Sequence, residues 1–404
     1  VGSNQKLVQA QSDRVWKVGD KPVLQVHLAS GRSIRATAQH RFLTGSGWQE
    51  LKSIAPGDRL ALARKIPQPA QCTPWPEHAL ILLAQLVGDG SYLSGQPLRY
   101  TTASEDNSLA VTVAAQAMGS TVRRVAGRGR WHQLVIGGNG NRWHPAGVGA
   151  WLKALGVFGQ RSHEKCLPPG LLQLDDASIG LFLRHLWATD GCIHVRPAEQ
   201  RGGHRIYFAT CSERLARGVA ALLLRLGIVA RLRGMVQAGS QHLLWNVDIS
   251  GATAQRHFLT VVGAFGPRSA PAQALRQRLE GVQSNTNVDT LPNEVFAQVR
   301  AQMAEQGISQ RAMAGLRQTA YGGASHFSFA PSRAVLTDCA QHLGSPELLA
   351  WAESDLFWDQ VVRIEPAGTE AVYDLTVPGP ACWIANDGIV THNSGAIEQD
   401  ADII

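Results

Sequence analysis

At 404 residues, with 38 basic and 31 acidic side chains and a net charge of +7, the chain is too long for one ordinary core and should divide into two or three units. The charge admits a polyanionic partner without identifying one. The six cysteines form no CxxC pair and no zinc-like or disulfide-like spacing, which fits a reducing compartment. No apolar run reaches the roughly 20 residues needed to span a bilayer, and Val1 to Arg14 is too polar for a signal peptide. The expectation is a cytoplasmic protein with no membrane partner.

From Val8 to Leu62, β-rich runs alternate with turn signals, as in "KPVLQVHLASGRSIRATAQHRFLT", "GSGW" and "PGDRLAL". The same texture returns only in "DQVVRIEPAGTEAVYDLTVPGPACWIANDGIVTHN", Asp359 to Asn393. Neither piece has enough apolar surface to fold alone, so the pattern predicts one all-β domain interrupted by an insertion. The Pro-rich "KIPQPAQCTPWP", Lys65 to Pro76, marks the way into it.

The insertion repeats itself. "LLAQLVGDG" (Leu82 to Gly90) is answered by "LRHLWATDG" (Leu183 to Gly191), and "ASEDNSLAVTVAAQAMGSTVRRV" (Ala103 to Val125) by "TCSERLARGVAALLLRLGIVARL" (Thr210 to Leu232). "QLVIGG" and "NVDISG" then close the halves. A lone helix ending in Asp-Gly would be only a helix terminus, but the recurrence in matching order argues for a duplicated α+β unit. Leu291 to Leu343 reads as helix, Gly307, a short helix from near Ser309, a loop and a helix capped by Ser332. That order suits a helix-turn-helix or a plain helical packing module.

The chemistry concentrates where the chain reads His392-Asn393-Ser394. An Asn side-chain amide can attack its own carbonyl carbon, close a succinimide and expel the following amine, for which a neighbouring His is a proton donor. The Ser394 hydroxyl is a nucleophile able to accept an acyl group. In "TAQH", Thr37 and His40 can converge on one peptide bond and polarise it. Asp374, in "VYDLTVPGP", lies on a strand shortly before the terminal motif as an acid or orienting partner.

Together these segments resemble an intein of the Hedgehog/intein (HINT) fold. "TAQHRFLT" is similar to its block B, "AVYDLTVPGPACWIAND" to block F, and "GIVTHN" followed by Ser to block G. The tail "SGAIEQDADII" resembles a replicative DNA helicase segment, the flanking extein. The resemblance implies protein splicing through Thr37, His40, Asp374, His392, Asn393 and Ser394, without a cofactor. There are two departures. Val1-Gly2-Ser3 does not look like the first block, which carries the upstream nucleophile. The chain is therefore read as the C-terminal portion of a split intein, awaiting a complementary N-terminal fragment, or as a truncated one. Ala381 stands where block F often has a His, leaving cyclisation to His392 and Asp374.

The duplicated helices resemble the LAGLIDADG motifs of homing endonucleases. Small residues such as Ala84, Gly88 and Ala188 would let the helices pack along a pseudo-twofold axis, bringing Asp89 and Asp190 together to bind Mg²⁺. Lys165 matches the block D lysine, which would stabilise charge at a phosphate, although a solvated surface lysine would read the same. Arg123, Arg124, Arg128 and Arg130 in one half, and Arg231 and Arg233 in the other, could line β-ribbons against double-stranded DNA.

The expected architecture is thus mixed. Residues 1–66 and 355–393 form an all-β splicing domain, 75–285 the endonuclease with repeats at about 80–170 and 180–285, 290–346 a helix-turn-helix-like DNA-binding module, and 394–404 the extein. An alternative stays open: a DNA-binding or endonuclease protein whose splicing domain is a relic competent only for C-terminal cleavage. The chain itself contains no GxxxxGK[ST] phosphate loop of a helicase.

Overall fold

The computed structural model describes residues 1–393 apart from 3, 142, 198, 201, 237–238, 240–242, 284 and 324–326. The chain forms two compact units, Val1–Arg64 with Asn285–Ile404, and Lys65–Ser284. Among the described residues no helix is long and apolar enough to cross a membrane.

The first unit opens with β1 (Arg14–Leu28), β2 (Ser33–Ala36), β3 (Arg41–Thr44), β4 (Gly47–Glu50) and β5 (Arg59–Ala63). The second unit begins with α1 (Glu77–Asp89), β6 (Gly90–Ser91), β7 (Leu98–Thr102), α2 (Glu105–Ala117), β8 (Thr121–Ala126), β9 (His132–Gly137) and α3 (Gly147–Ala154). It continues through α4 (Asp176–Asp190), β10 (Gly191–His194), β11 (Arg205–Thr210), α5 (Glu213–Arg225), β12 (Arg231–Val236), β13 (Leu243–Ile249), α6 (Ala252–Val261) and α7 (Ser269–Leu279). The chain then returns to the first unit with α8 (Val295–Glu305), α9 (Gln310–Leu316), α10 (Arg333–Leu343), α11 (Pro346–Ala352), β14 (Leu356–Thr376), β15 (Cys382–Ile384) and β16 (Val390–His392).

In the first unit the strands run β15-β16-β3-β5-β14-β1-β2, with β4 on β3, so the terminal strands enclose β3 and β5 from the opening of the chain. β5 is buried on both faces: Leu60 and Leu62 pack with Val26, Phe42, Val361 and Ile389, whereas Ala61 packs with Phe296, Leu336, Leu348 and Trp358. A central strand covered on both sides must be apolar at every position, which accounts for the unbroken "LALA". The helical segment α8 to α11 supplies that second cover. Ser309, Ser332 and Ser345 cap α9, α10 and α11, each accepting from a backbone N–H three residues on. β1 and β14 extend beyond the core as a paired ribbon whose register shifts at Lys17/Gly19, Pro22/Leu24 and His27/Leu28.

In the second unit each half runs helix, strand, strand, helix, strand, strand, and the two sheets have matching orders, β6-β7-β9-β8 and β10-β11-β13-β12. α1 is buried on nearly all sides from Ala79 to Val87 and α4 from Ile179 to Thr189, as expected of helices lying inside a core. They pack closely because Gly88 has no side chain: a Cβ there would lie 2.0 Å from Thr189 Oγ1.

Candidate functional site

In the first unit the site is assembled by strand pairing. β16 lies between β15 and β3, with Cys382 opposite His392 and Thr391 opposite Phe42. β3 follows the turn in which His40 N–H donates to Thr37 O at 3.1 Å, so the Thr37–His40 turn is carried to the end of β16. The imidazoles are close enough to interact: burial first, and His392 second, lower the His40 pKa to about 4. Trp48 meets the His392 ring edge-on, centroids 4.8 Å apart.

Asn393 is held at its backbone. Its N–H donates to Ala381 O at 2.9 Å, while Ala381 N–H donates to Val377 O at 3.1 Å, closing the turn between β14 and β15. His392 Nδ1 lies 2.7 Å from Asn393 O. A carbonyl oxygen can only accept, so Nδ1 carries the hydrogen and polarises the carbonyl of the Asn393–Ser394 bond. The Asn393 side-chain oxygen is buried without a hydrogen-bond partner. Ser394 and the rest of 394–404 lie outside the described residues.

Asp374 is 4 % exposed. It pairs across the ribbon with Trp16 and accepts from Leu375 N–H at 2.8 Å, three residues before the Val377–Ala381 turn. Asn393 is contacted by His392 and the Ala381 backbone, and Trp48 braces the histidine. Neither Trp48 nor the Ala381 carbonyl stood out in the sequence, since an aromatic in "GSGW" and a backbone acceptor leave no motif.

In the second unit α1 and α4 end at Asp89 and Asp190. Burial, then the charge of Asp190, raises the Asp89 pKa to about 6, against the opposing pull of Lys165 and Arg268. Asp190 is also raised by desolvation although its side chain reaches solvent. Lys165 is not a solvated lysine: it is 6 % exposed, and its Nζ donates to Val87 O and Gly88 O at 2.8 Å and to Gly90 O at 3.0 Å. It closes the C-terminal turn of α1, where carbonyls otherwise lack donors. Burial lowers its pKa to about 8, while both aspartates oppose that shift. Arg268 performs the same task for α4, donating to Trp187 O at 3.3 Å and Thr189 O at 3.0 Å. This arginine was not anticipated; asking what answers Lys165 in the second repeat would have pointed to it. Burial first, and the charge of Asp89 next, raise the pKa of Tyr100, whose hydroxyl donates to Gln85.

Sheet register sorts the arginines. Val122 and Arg124 pair with buried Ile136 and Leu134, whereas Arg123 pairs with Val135 and so faces the opposite side. Arg124 is accordingly turned from that open face and forms a bidentate pair with Glu105 at 2.7 Å. Arg231 and Arg233, opposite Asp248 and Asn246, flank buried Leu232 and share the outward face of their sheet. Arg128 and Arg130 are exposed in the β8–β9 connection. Arg99, paired with Val135, and Arg205, on the strand facing Asp248, join the outward faces. Among the described residues no cluster of three or more His, Cys, Asp or Glu could hold a metal, leaving the aspartate pair as the acidic centre.

The intein splicing domain family covers residues 2–393, and the chain belongs to it. Among curated proteins the chain is similar to the replicative DNA helicase DnaB of Rhodothermus marinus, 41% identical over 409 residues that cover 99% of this chain and 42% of that protein. It thus spans less than half of that relative. Among solved structures, the G-1F mutant of the Ssp DnaB mini-intein variant M86 is 41% identical over 16% of this chain and 40% of that one, with a TM-score of 0.15. The homing endonuclease I-DmoI in complex with DNA and Ca is 15% identical over 50% of this chain and 97% of that one, with a TM-score of 0.34.

Proposed function

We propose that the Asn393–Ser394 peptide bond is the substrate of the first unit. The Asn393 Nδ2 attacks the Asn393 carbonyl carbon and loses a proton; the bond to the Ser394 nitrogen breaks, and that nitrogen leaves protonated as a free amine. Asn393 ends as a C-terminal succinimide. His392 donates to the carbonyl oxygen as negative charge gathers on it, and the fixed backbone keeps the side chain near its own carbonyl. The single observation that carries this reading is the 2.7 Å approach of His392 Nδ1 to Asn393 O. Intact mass spectrometry tests it: the purified chain should lose its tail, and Asn393→Ala should not.

Complete splicing adds acyl transfer to the Ser394 hydroxyl, with Thr37 and His40 polarising the upstream bond of an intein-type N-terminal block and Asp374 orienting the terminal segment. The flanking sequences joined would be those of a replicative helicase, which the relative's name suggests.

For the second unit we propose a LAGLIDADG-type DNA endonuclease whose halves are related by a pseudo-twofold axis. Asp89 and Asp190 close the packed helices α1 and α4 and repel one another, which with burial raises the Asp89 pKa, and two carboxylates are a donor set that suits Mg²⁺ completed by water and phosphate oxygens. Asp89 and Asp190 would hold the ion, which supplies Lewis-acid charge and an acidified water. Lys165 and Arg268 hold the helix ends that carry the aspartates. Arg123, Arg128, Arg130, Arg231 and Arg233 would meet double-stranded DNA, while Arg124 braces β8 against α2; α8 to α10 are a further candidate DNA contact. Cleavage of DNA carrying the uninterrupted helicase coding site, in Mg²⁺ and lost in Asp89→Asn and Asp190→Asn, is the expected result.

A further inference from the structure

Ala381 has φ +52°, the left-handed region that side chains with a Cβ seldom occupy. It is one of four described residues other than glycine with positive φ, the others being Gln5, Gln318 and Asp387. Its neighbours explain why it is held there. The Ala381 N–H donates back to Val377 O at 3.1 Å, and its carbonyl receives the Asn393 N–H at 2.9 Å. The next residue, Cys382, is already in β15 and pairs with His392. A return to negative φ would rotate the peptide planes on either side of Ala381, so that closing the turn and receiving Asn393 could not both be kept. Strain of this kind persists where the surroundings over-determine it.

The geometry points to Ala381 as a positioning residue for cleavage at Asn393, acting through its left-handed backbone and carbonyl rather than through its side chain. This rests on the reading of Asn393 given above. Cyclisation needs the Asn393 backbone fixed while its side chain turns onto its own carbonyl carbon. The Ala381 carbonyl grips that backbone on the N-terminal side, and His392 engages the carbonyl on the other.

The test is a series ordered by tolerance of positive φ, made in the full chain and read as the rate of tail release by intact mass. Ala381→Gly and Ala381→Asn, both at ease in this region, should stay within about threefold of the unaltered chain. Ala381→Val should release the tail about tenfold more slowly, with the pH profile unchanged in shape because no proton donor is altered. Its Asn393 amide should exchange hydrogen faster than in the Gly variant. Should the Val chain fail to fold, Ala381→Thr carries the same branching with a polar group. Equal rates across the series, or Gly and Asn slowed as much as Val, would overturn the assignment. If the unaltered chain releases no tail at all, the reading of Asn393 falls, and this inference with it.

Discussion

At the residue scale, titration separates the two sites. His40 and His185 are both held at about 4, each chiefly by burial. Between that value and the ordinary 6.5 the unfolded chain binds protons that the folded chain does not. Their contribution to stability is therefore complete above pH 6.5 and is lost as the pH falls toward 4. His185→Gln should flatten the acid limb of a urea-midpoint profile across that window and leave it unchanged at pH 8. Asp89 runs the other way: with a folded pKa of about 6 against 3.8, its penalty grows from pH 4 to 6 and is full above. Asp89→Asn should raise stability at pH 7.5 by about 1–2 kcal/mol after allowance for solvent screening, and by nothing near pH 3. Added Mg²⁺ should reverse the order by stabilising only the unaltered chain, a difference visible in thermal midpoints without any DNA. For the splicing site, His392→Gln should slow tail release about 100-fold or more, read by intact mass.

At the level of elements, the α1–α4 contact depends on the absence of a Cβ at Gly88. Gly88→Ala drives a methyl into Thr189 and should cost about 2 kcal/mol, measurable as a lowered denaturation midpoint; pairing it with Thr189→Gly should recover part of the loss. The interruption of a β unit and the duplication inside the insertion were legible because apolar period, Asp-Gly helix ends and serine caps are local signals. The role of the helices after Leu291 was not, because what they cover is decided by β5, more than two hundred positions earlier in the chain. "LALA" could have hinted at a strand buried twice over. Arg124 illustrates the limit of reading charge from sequence: beside Arg123 it looks equivalent, yet one step along a strand sends it to the other face. Lys165 shows the same limit in burial, since nothing in "RSHEKCLPPGLL" says that its amine lies beneath a helix end.

At the scale of the molecule, the chain leaves the first unit after Arg64 and rejoins it at Asn285, and within that unit Arg64 pairs with Asp289 at 2.9 Å. Departure and return are thus close together, the condition under which an inserted unit is tolerated. Replacing residues 65–284 by a short Gly/Ser linker should leave a folded first unit that releases its tail within about threefold of the full chain. The same separation places the candidate splicing residues at the ends of the chain and the paired aspartates in its middle. The measurement that bears most directly on the whole account is intact mass spectrometry of the full chain mixed with a peptide carrying an intein-type N-terminal block and an upstream flank. The account predicts a ligated product in which that flank is joined to "SGAIEQDADII", absent when Asn393 is Ala. If the chain and peptide persist unchanged, with neither ligation nor release of the tail, the Asn393–Ser394 bond is not a substrate and the account is contradicted.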